Sequence, residues 1–209
     1  MIILSHRGYW RQPYEKNTIV AFTHSFNLGF GTETDIRDQN GTLVISHDMP
    51  LNDVLTFKDF LNIYGQSDLP LALNIKSDGL AHSLKEHMQN VHSANWFVFD
   101  MSIPDMRSYI KLGVPVFTRM SEVEREPVWF DQVDGVWLDS FSHEWYSSAL
   151  IEKLLLQGKK VCIVSSELHG RDKTYLWSLL SSLSHYTQLM LCTDIPKEAE
   201  AYFNNRVPI

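Results

Sequence analysis

The sequence predicts a single compact (β/α)₈ barrel over residues 1–209, and three observations support this fold class. Eight short runs of apolar, β-branched and aromatic residues recur along the chain, with helical patterns between most of them. The runs are nearly continuous in apolar residues, as in parallel strands that are buried on both faces. Polar residues end several different runs, where a barrel of this class collects its site. A doubly wound open sheet is the main alternative. The runs are IILSH, GTETDI, LPLALNIK, NWFVFDM, VPVFTR, DGVWLD, KKVCIVS and LMLCTD.

The first helix is predicted directly after the first strand. Asn17 or Thr18 can cap its N-terminus, and Ile19, Phe22 and Phe26 recur at helical spacing on one face. This pattern predicts an amphipathic helix with those three side chains on one face, which ends at Gly29.

Later helices carry their own start and stop signals. Thr56 with Asp59 resembles a capping box, and Pro104 suits the first turn of a helix. The segment SSALIEKLLLQG predicts a helix that ends at Gly158. No low-complexity linker interrupts the series, which predicts one domain.

Composition excludes several classes of function. The formal net charge of −7 and the lack of a basic run argue against a nucleic-acid or anionic-membrane surface. No apolar stretch has the length of a membrane span, and the chain opens with a strand rather than a signal sequence. Cys162 and Cys192 each lie inside an apolar run, which predicts two reduced core thiols. We therefore expect a soluble, cytoplasmic protein, and the sequence leaves its oligomeric state open.

The candidate site residues lie on the first three predicted strands or directly follow them. Glu33 and Asp35 alternate along the second strand, so both side chains point to one face. Two carboxylates that face a barrel interior need a cation or a basic partner. A plain ion pair with Lys76 is the structural alternative to a metal site. The run LVISHD predicts an extra β-element that returns His47 to the same end of the barrel.

An ordered series of motifs resembles the glycerophosphodiester phosphodiesterase family. The series is SHRG, NTIVAF, GFGTETDIRDQNGTLVISHD, LALNIK and LCTDIP, and it covers nearly the whole chain. The resemblance implies a (β/α)₈ barrel that hydrolyses phosphodiesters with a divalent cation. In that family the attacking oxygen is a hydroxyl of the substrate's glycerol, and water then opens the cyclic phosphate.

The resemblance also implies roles for individual residues. It makes His6 and His47 the acid–base pair, without deciding which is the base. Arg7 and Lys76 are the candidates to bind the substrate phosphate, because their positive charges suit its non-bridging oxygens. The implied metal ligands are Glu33, Asp35 and Asn74.

Three departures from the family pattern stand out. The family has Glu directly before Asn-Thr, whereas this chain reads Glu15-Lys16-Asn17-Thr18. The third family carboxylate is replaced by Asn74, and Asp100 on the next strand is a candidate to restore the charge. Many members of the family carry an insertion after the His-Asp motif that covers the substrate. Here only MPLNDVL separates that motif from the next helix, which predicts an accessible phosphate site.

The sequence therefore predicts a phosphodiester hydrolase that uses Mg²⁺ or Ca²⁺, since hard carboxylate oxygens suit these ions. Its substrate would be a glycerophosphodiester or a related polyol phosphodiester, either a small molecule or a polymer. The alternative is a catalytically weakened barrel that binds a phosphorylated ligand, which the replacement at Asn74 suggests. Retention of two histidines and Arg7 favours the enzyme, because a binding protein needs no acid–base pair.

Overall fold

The computed structural model describes residues 1–89, 91 and 95–204. Its strands are β1 (Ile2–His6), β2 (Gly31–Gln39), β3 (Thr42–Ile45), β4 (Leu71–Ile75), β5 (Trp96–Phe99), β6 (Phe117–Met120), β7 (Gly135–Leu138), β8 (Lys160–Val164) and β9 (Leu189–Thr193). Its helices are α1 (Ile19–Asn27), α2 (Phe57–Tyr64), α3 (Ala81–Met88), α4 (Ile103–Lys111), α5 (Ser148–Leu156), α6 (Thr174–Ser181) and α7 (Pro196–Asn204).

The strands form one sheet in the order β5-β4-β2-β1-β9-β8-β7-β6, with β3 paired to β2 off this path. β3 runs antiparallel to β2, whereas the neighbouring pairs β2–β4, β4–β5, β6–β7, β7–β8 and β8–β9 are parallel. This cyclic order, with helices in the connections, confirms the predicted (β/α)₈ barrel, because a doubly wound sheet reverses its strand order at a switch point. Each of the eight predicted runs overlaps a strand, and the extra element is β3.

The chain divides into two compact units. The N-terminal unit is Ser5–Val116, and the C-terminal unit combines Met1–Leu4 with the chain from Phe117 onward. Within the N-terminal unit, a parallel bridge joins Val98 of β5 to Val116, the residue before β6. Within the C-terminal unit, β7, β8 and β9 share a core with α5 and α6. The prediction of one domain for residues 1–209 stays a prediction.

The first helix begins as the sequence indicates, with one difference. Thr18 is the N-cap, and its hydroxyl accepts a hydrogen bond from the Ala21 N–H. Phe22 is fully buried and packs edge-to-face on Phe60 of α2, with ring centroids 4.7 Å apart. Ile19, however, is 55% exposed, although the apolar pattern places it on the same face as Phe22 and Phe26. It is the first residue of α1, ahead of the turn that packs on α2.

The other local predictions hold. Thr56 caps α2 by accepting a hydrogen bond from the Asp59 N–H, and Pro104 lies in the first turn of α4. Cys162 and Cys192 are both buried free thiols. No helix within the described part of the chain has the length and apolar character that a membrane crossing requires.

Candidate active site

The turn after β1 places Arg7 by means of an unusual backbone. Arg7 and Gly8 both have positive φ, at 59° and 82°. Glycine is required at the second position, because a Cβ there would lie 2.7 Å from the carbonyl carbon of Ala21 in α1. The Arg7 N–H donates to the Glu33 carbonyl (2.9 Å), which ties the turn to β2. The His-Arg-Gly motif thus folds into a turn that closely approaches α1.

Asp35 is the centre of the cluster that this turn faces. Its carboxylate is fully buried, and the Asn17 side chain donates to Oδ2 (2.8 Å). Arg7 Nε lies 2.9 Å from the same oxygen, in an ion pair whose geometry is not that of a hydrogen bond. Lys76 Nζ lies 3.4 Å from Oδ1. Asp35 aligns with Asn74 in the β2–β4 register, so these groups meet because their strands are neighbours.

Glu33 is the second buried carboxylate, and His6 Nε2 lies 3.9 Å from its Oε2. Burial and the negative charge of Asp35 raise the pKa of Glu33 to about 8, while the charges of Arg7 and Lys76 and a hydrogen bond from Asn74 act in the opposite direction. Two buried carboxylates separated by one residue repel each other, and the nearby cations compensate only in part.

Each of the three predicted metal ligands has a buried oxygen that accepts no hydrogen bond. Glu33 Oε2, Asp35 Oδ1 and Asn74 Oδ1 are all buried oxygens without a hydrogen-bond partner. Buried polar atoms are rarely left unpaired, and three oxygens from adjacent strand positions suit a hard divalent cation. The side chains therefore fit such an ion, with two charged ligands and one neutral ligand.

Two observations bear on the alternatives for this cluster. Among the residues the structure describes, no three His, Cys, Asp or Glu side chains are arranged to hold a metal, which gives no support to Asp100 as a third acidic ligand. Lys76 pairs with Asp35 as the ion-pair alternative expects. That pairing leaves Glu33 without a compensating hydrogen bond to its Oε2.

His47 follows β3, which returns the chain to the end of β2. The Ser46 N–H donates to the Asp35 carbonyl (3.1 Å), so His47 lies one residue beyond a direct link to the acidic cluster. Its Nδ1 is 2.9 Å from Asp48 Oδ1, which leaves Nε2 as the nitrogen available to a ligand. The side chain of His47 is 45% exposed, in keeping with the predicted accessible site.

A cavity of about 550 Å³ adjoins His47. The two segments that line it come from the start of α1 and from the chain around β3. The lining residues are Lys16, Asn17, Thr18, Ile19, Ile45, Ser46, His47, Asp48, Asp53, Val54 and Leu55.

The structure also explains the first departure from the family pattern and finds a residue that the sequence analysis missed. Glu15 accepts hydrogen bonds from the Arg11 and Gln12 N–H groups, which makes it a cap of the local turn. The sequence predicts that Asn17 or Thr18 caps the first helix. The Asn17 amide instead bridges two β2 side chains, since Nδ2 donates to Asp35 while Oδ1 accepts from the Thr34 hydroxyl (2.9 Å). The Asn-Thr motif was the available signal.

The C-terminal unit has its own polar network after β7, β8 and β9. His169 Nε2 lies 2.7 Å from Asp139 Oδ1, and Arg171 pairs with Glu144. Glu167 accepts hydrogen bonds from Ser165 and Thr193, both at 2.5 Å. The hydrogen bonds stabilise the loops of this unit.

Fold and side chains together define a class of protein: a parallel α/β barrel with a buried acidic cluster, flanked by cationic side chains, at the ends of neighbouring strands. No protein-family profile matches the sequence, and no curated protein matches it.

The chain is similar to several proteins of known structure. The chain is similar to a glycerophosphodiester phosphodiesterase from Agrobacterium tumefaciens, with 14% identity and a TM-score of 0.72 over 98% of this chain and 99% of that one. A phosphodiesterase from Oleispira antarctica, in complex with the product sn-glycerol-3-phosphate, is 16% identical, with a TM-score of 0.72. That match covers 98% of this chain and 97% of the other. A dihydropteroate synthase from Xanthomonas albilineans is 12% identical to this chain, with a TM-score of 0.51. The match covers 99% of this chain and 93% of that one. At these identities the likeness is one of fold.

Proposed function

We propose that this protein is a phosphodiester hydrolase that depends on a divalent cation and acts on a glycerophosphodiester or a related polyol phosphodiester. The observation that carries the proposal is the set of three buried oxygens without a hydrogen-bond partner, on Glu33, Asp35 and Asn74. They lie beside the cations Arg7 and Lys76, which both form ion pairs with Asp35. This arrangement combines oxygen ligands for a hard cation with fixed positive charge for a phosphate.

Cleavage of a phosphodiester requires a base for the attacking oxygen and an acid for the departing one. His6 and His47 suit these roles, because imidazole exchanges protons near neutral pH. Asp48 orients the His47 ring through Nδ1, and Nε2 is then directed to the substrate. His6 Nε2 lies 3.9 Å from Glu33 Oε2, which places this imidazole beside the acidic cluster.

Arg7 and Lys76 would bind the non-bridging oxygens of the phosphate. Both cations contact the buried Asp35 carboxylate and keep about one fifth of their side-chain surface exposed. Asp35 therefore orients them, and their remaining N–H groups are directed to an incoming anion.

Glu33, Asp35 and Asn74 would hold Mg²⁺ or Ca²⁺. Such an ion, when bound, supplies additional positive charge for the non-bridging phosphate oxygens. The neutral amide of Asn74 predicts weaker binding than three carboxylates would give.

The likeness to two phosphodiesterases supports this reaction class over the other chemistries that barrels perform. In one of them the bound product is sn-glycerol-3-phosphate, which supports a polyol phosphodiester as the substrate here.

The test is turnover of a panel of glycerophosphodiesters by protein freed of metal with EDTA, with and without added Mg²⁺ or Ca²⁺. We expect hydrolysis that requires the cation and releases a phosphomonoester. Full activity after exhaustive chelation would contradict the metal dependence. Binding of glycerol phosphate without turnover of any diester would instead support the weakened, ligand-binding barrel.

A further inference from the structure

We infer that the cavity beside His47 is a subsite for an aliphatic chain carried by the alcohol of the phosphodiester. The inference rests on the proposed function, because the cavity acquires this meaning only if His47 faces a substrate phosphate. His47 lines the cavity, so a group bound there adjoins a proposed catalytic side chain.

The volume and lining of the cavity fit an apolar chain. Its volume of about 550 Å³ lies within the range of small-molecule sites, about 300–1,000 Å³. Four aliphatic side chains line it: Ile19, Ile45, Val54 and Leu55. Ile19 is 55% exposed at the first turn of α1, so the fold itself leaves more than half of its apolar surface in water. A bound alkyl chain would bury it.

The charged lining residues do not conflict with an apolar occupant. Asp48 and Asp53 are exposed to solvent, and Asp48 contacts His47. The ammonium of Lys16 lies 4.4 Å from the centre of the Trp10 ring. These charges can keep their hydration at the edge while the aliphatic side chains contact the ligand.

Exposed apolar residues are concentrated in the two segments that line the cavity or adjoin its lining. Of the eleven large apolar side chains exposed in the described residues, five fall in positions 14–20 and 49–51. They are Tyr14, Ile19, Val20, Met49 and Leu51. Single exposed apolar residues need no explanation, but a group beside a site is typical of a binding surface. Met49 and Leu51, which are 73% and 87% exposed, follow His47 by two and four residues.

The test uses glycerol phosphodiesters whose second alcohol is methanol, butanol, hexanol or octanol, all below their micelle concentration and with saturating Mg²⁺. We expect kcat/KM to rise about two- to fourfold per methylene between the butyl and octyl esters, as burial of one methylene predicts. Ile19→Ser should lower kcat/KM for the octyl ester about tenfold, since it removes apolar contact area, and should leave the methyl ester unchanged. Ile103→Ser is the matched control, because Ile103 is also the first residue of a helix and is 52% exposed.

The outcomes separate the two proposals. Equal kcat/KM for the methyl and octyl esters would refute the subsite and leave the proposed function intact. Failure to hydrolyse any of the esters would refute both. If kcat/KM depends on alkyl-chain length in the same way in Ile19→Ser and Ile103→Ser, the alkyl chain binds elsewhere. That result would overturn the subsite. Dependence that appears only above the micelle concentration would point to docking on a lipid surface and would also overturn it.

Discussion

Replacement of Gly8 by alanine should be far more damaging than the same change at Gly29, although both glycines have φ near 80°. The left-handed backbone imposes a similar penalty on an alanine at either position, about 1–2 kcal/mol. At Gly29 a new Cβ meets nothing within 4 Å, whereas at Gly8 it lies 2.7 Å from both the backbone carbon and the Cβ of Ala21. Relief of that overlap requires a backbone shift that adds about 1–3 kcal/mol. We therefore expect Gly8→Ala to lower the free energy of unfolding by about 2–5 kcal/mol and Gly29→Ala by about 1–2 kcal/mol.

Urea unfolding of the two variants measures the stability difference, and kcat/KM on the best glycerophosphodiester measures the effect on the site. Gly8 directly follows Arg7, so the backbone shift should displace the guanidinium from Asp35. A misplacement of about 1 Å can lower activity about a hundredfold, and we expect at least a tenfold loss in Gly8→Ala and none in Gly29→Ala. Equal stability losses in the two variants, with equal activities, would refute the close approach between the turn and α1.

Three further predictions concern the site itself. His6→Ala and His47→Ala should each lower turnover about 10²- to 10⁴-fold, with the double variant little worse than either; near-normal activity in a folded single variant would remove that histidine from the mechanism. Asn74→Asp should tighten Mg²⁺ binding about tenfold in calorimetric titration, because it adds a charged ligand, and should lower the melting temperature in EDTA, because it adds a third buried carboxylate. Glu33 has a pKa raised from 4.5 to about 8, so in the folded protein it keeps a proton that the unfolded chain releases. The free energy of unfolding in EDTA should therefore fall as pH rises from 4.5 to 8, with up to about 1.4 kcal/mol per pH unit from this group. Glu33→Gln should remove that contribution, and an unchanged slope in the variant would show that Glu33 titrates normally.

Local features of this protein follow from the sequence alone. The eight apolar runs predict the strands because buried parallel strands require nearly continuous apolar residues. Thr56 with Asp59 and Pro104 mark helix starts because the unpaired N–H groups of a first turn need nearby acceptors or a residue without an N–H. The motifs around Arg7 and between Glu33 and Asp35 identify the candidate site because their residues lie close together in the chain.

Tertiary structure decided the features that depend on contacts between distant segments. Asn17 looks like a helix cap in the sequence, and only the approach of the turn before α1 to β2 makes its amide a partner of Asp35. Ile19 fits the apolar pattern of α1 yet lies in the open cavity, because periodicity does not specify which turn of a helix another element covers. The same applies to the buried oxygens of Glu33, Asp35 and Asn74 that lack a hydrogen-bond partner. Alternation along β2 places two of them on one face, but the register between β2 and β4 adds the third. Register and helix placement are set by packing over the whole unit, and no short stretch of sequence encodes them by itself.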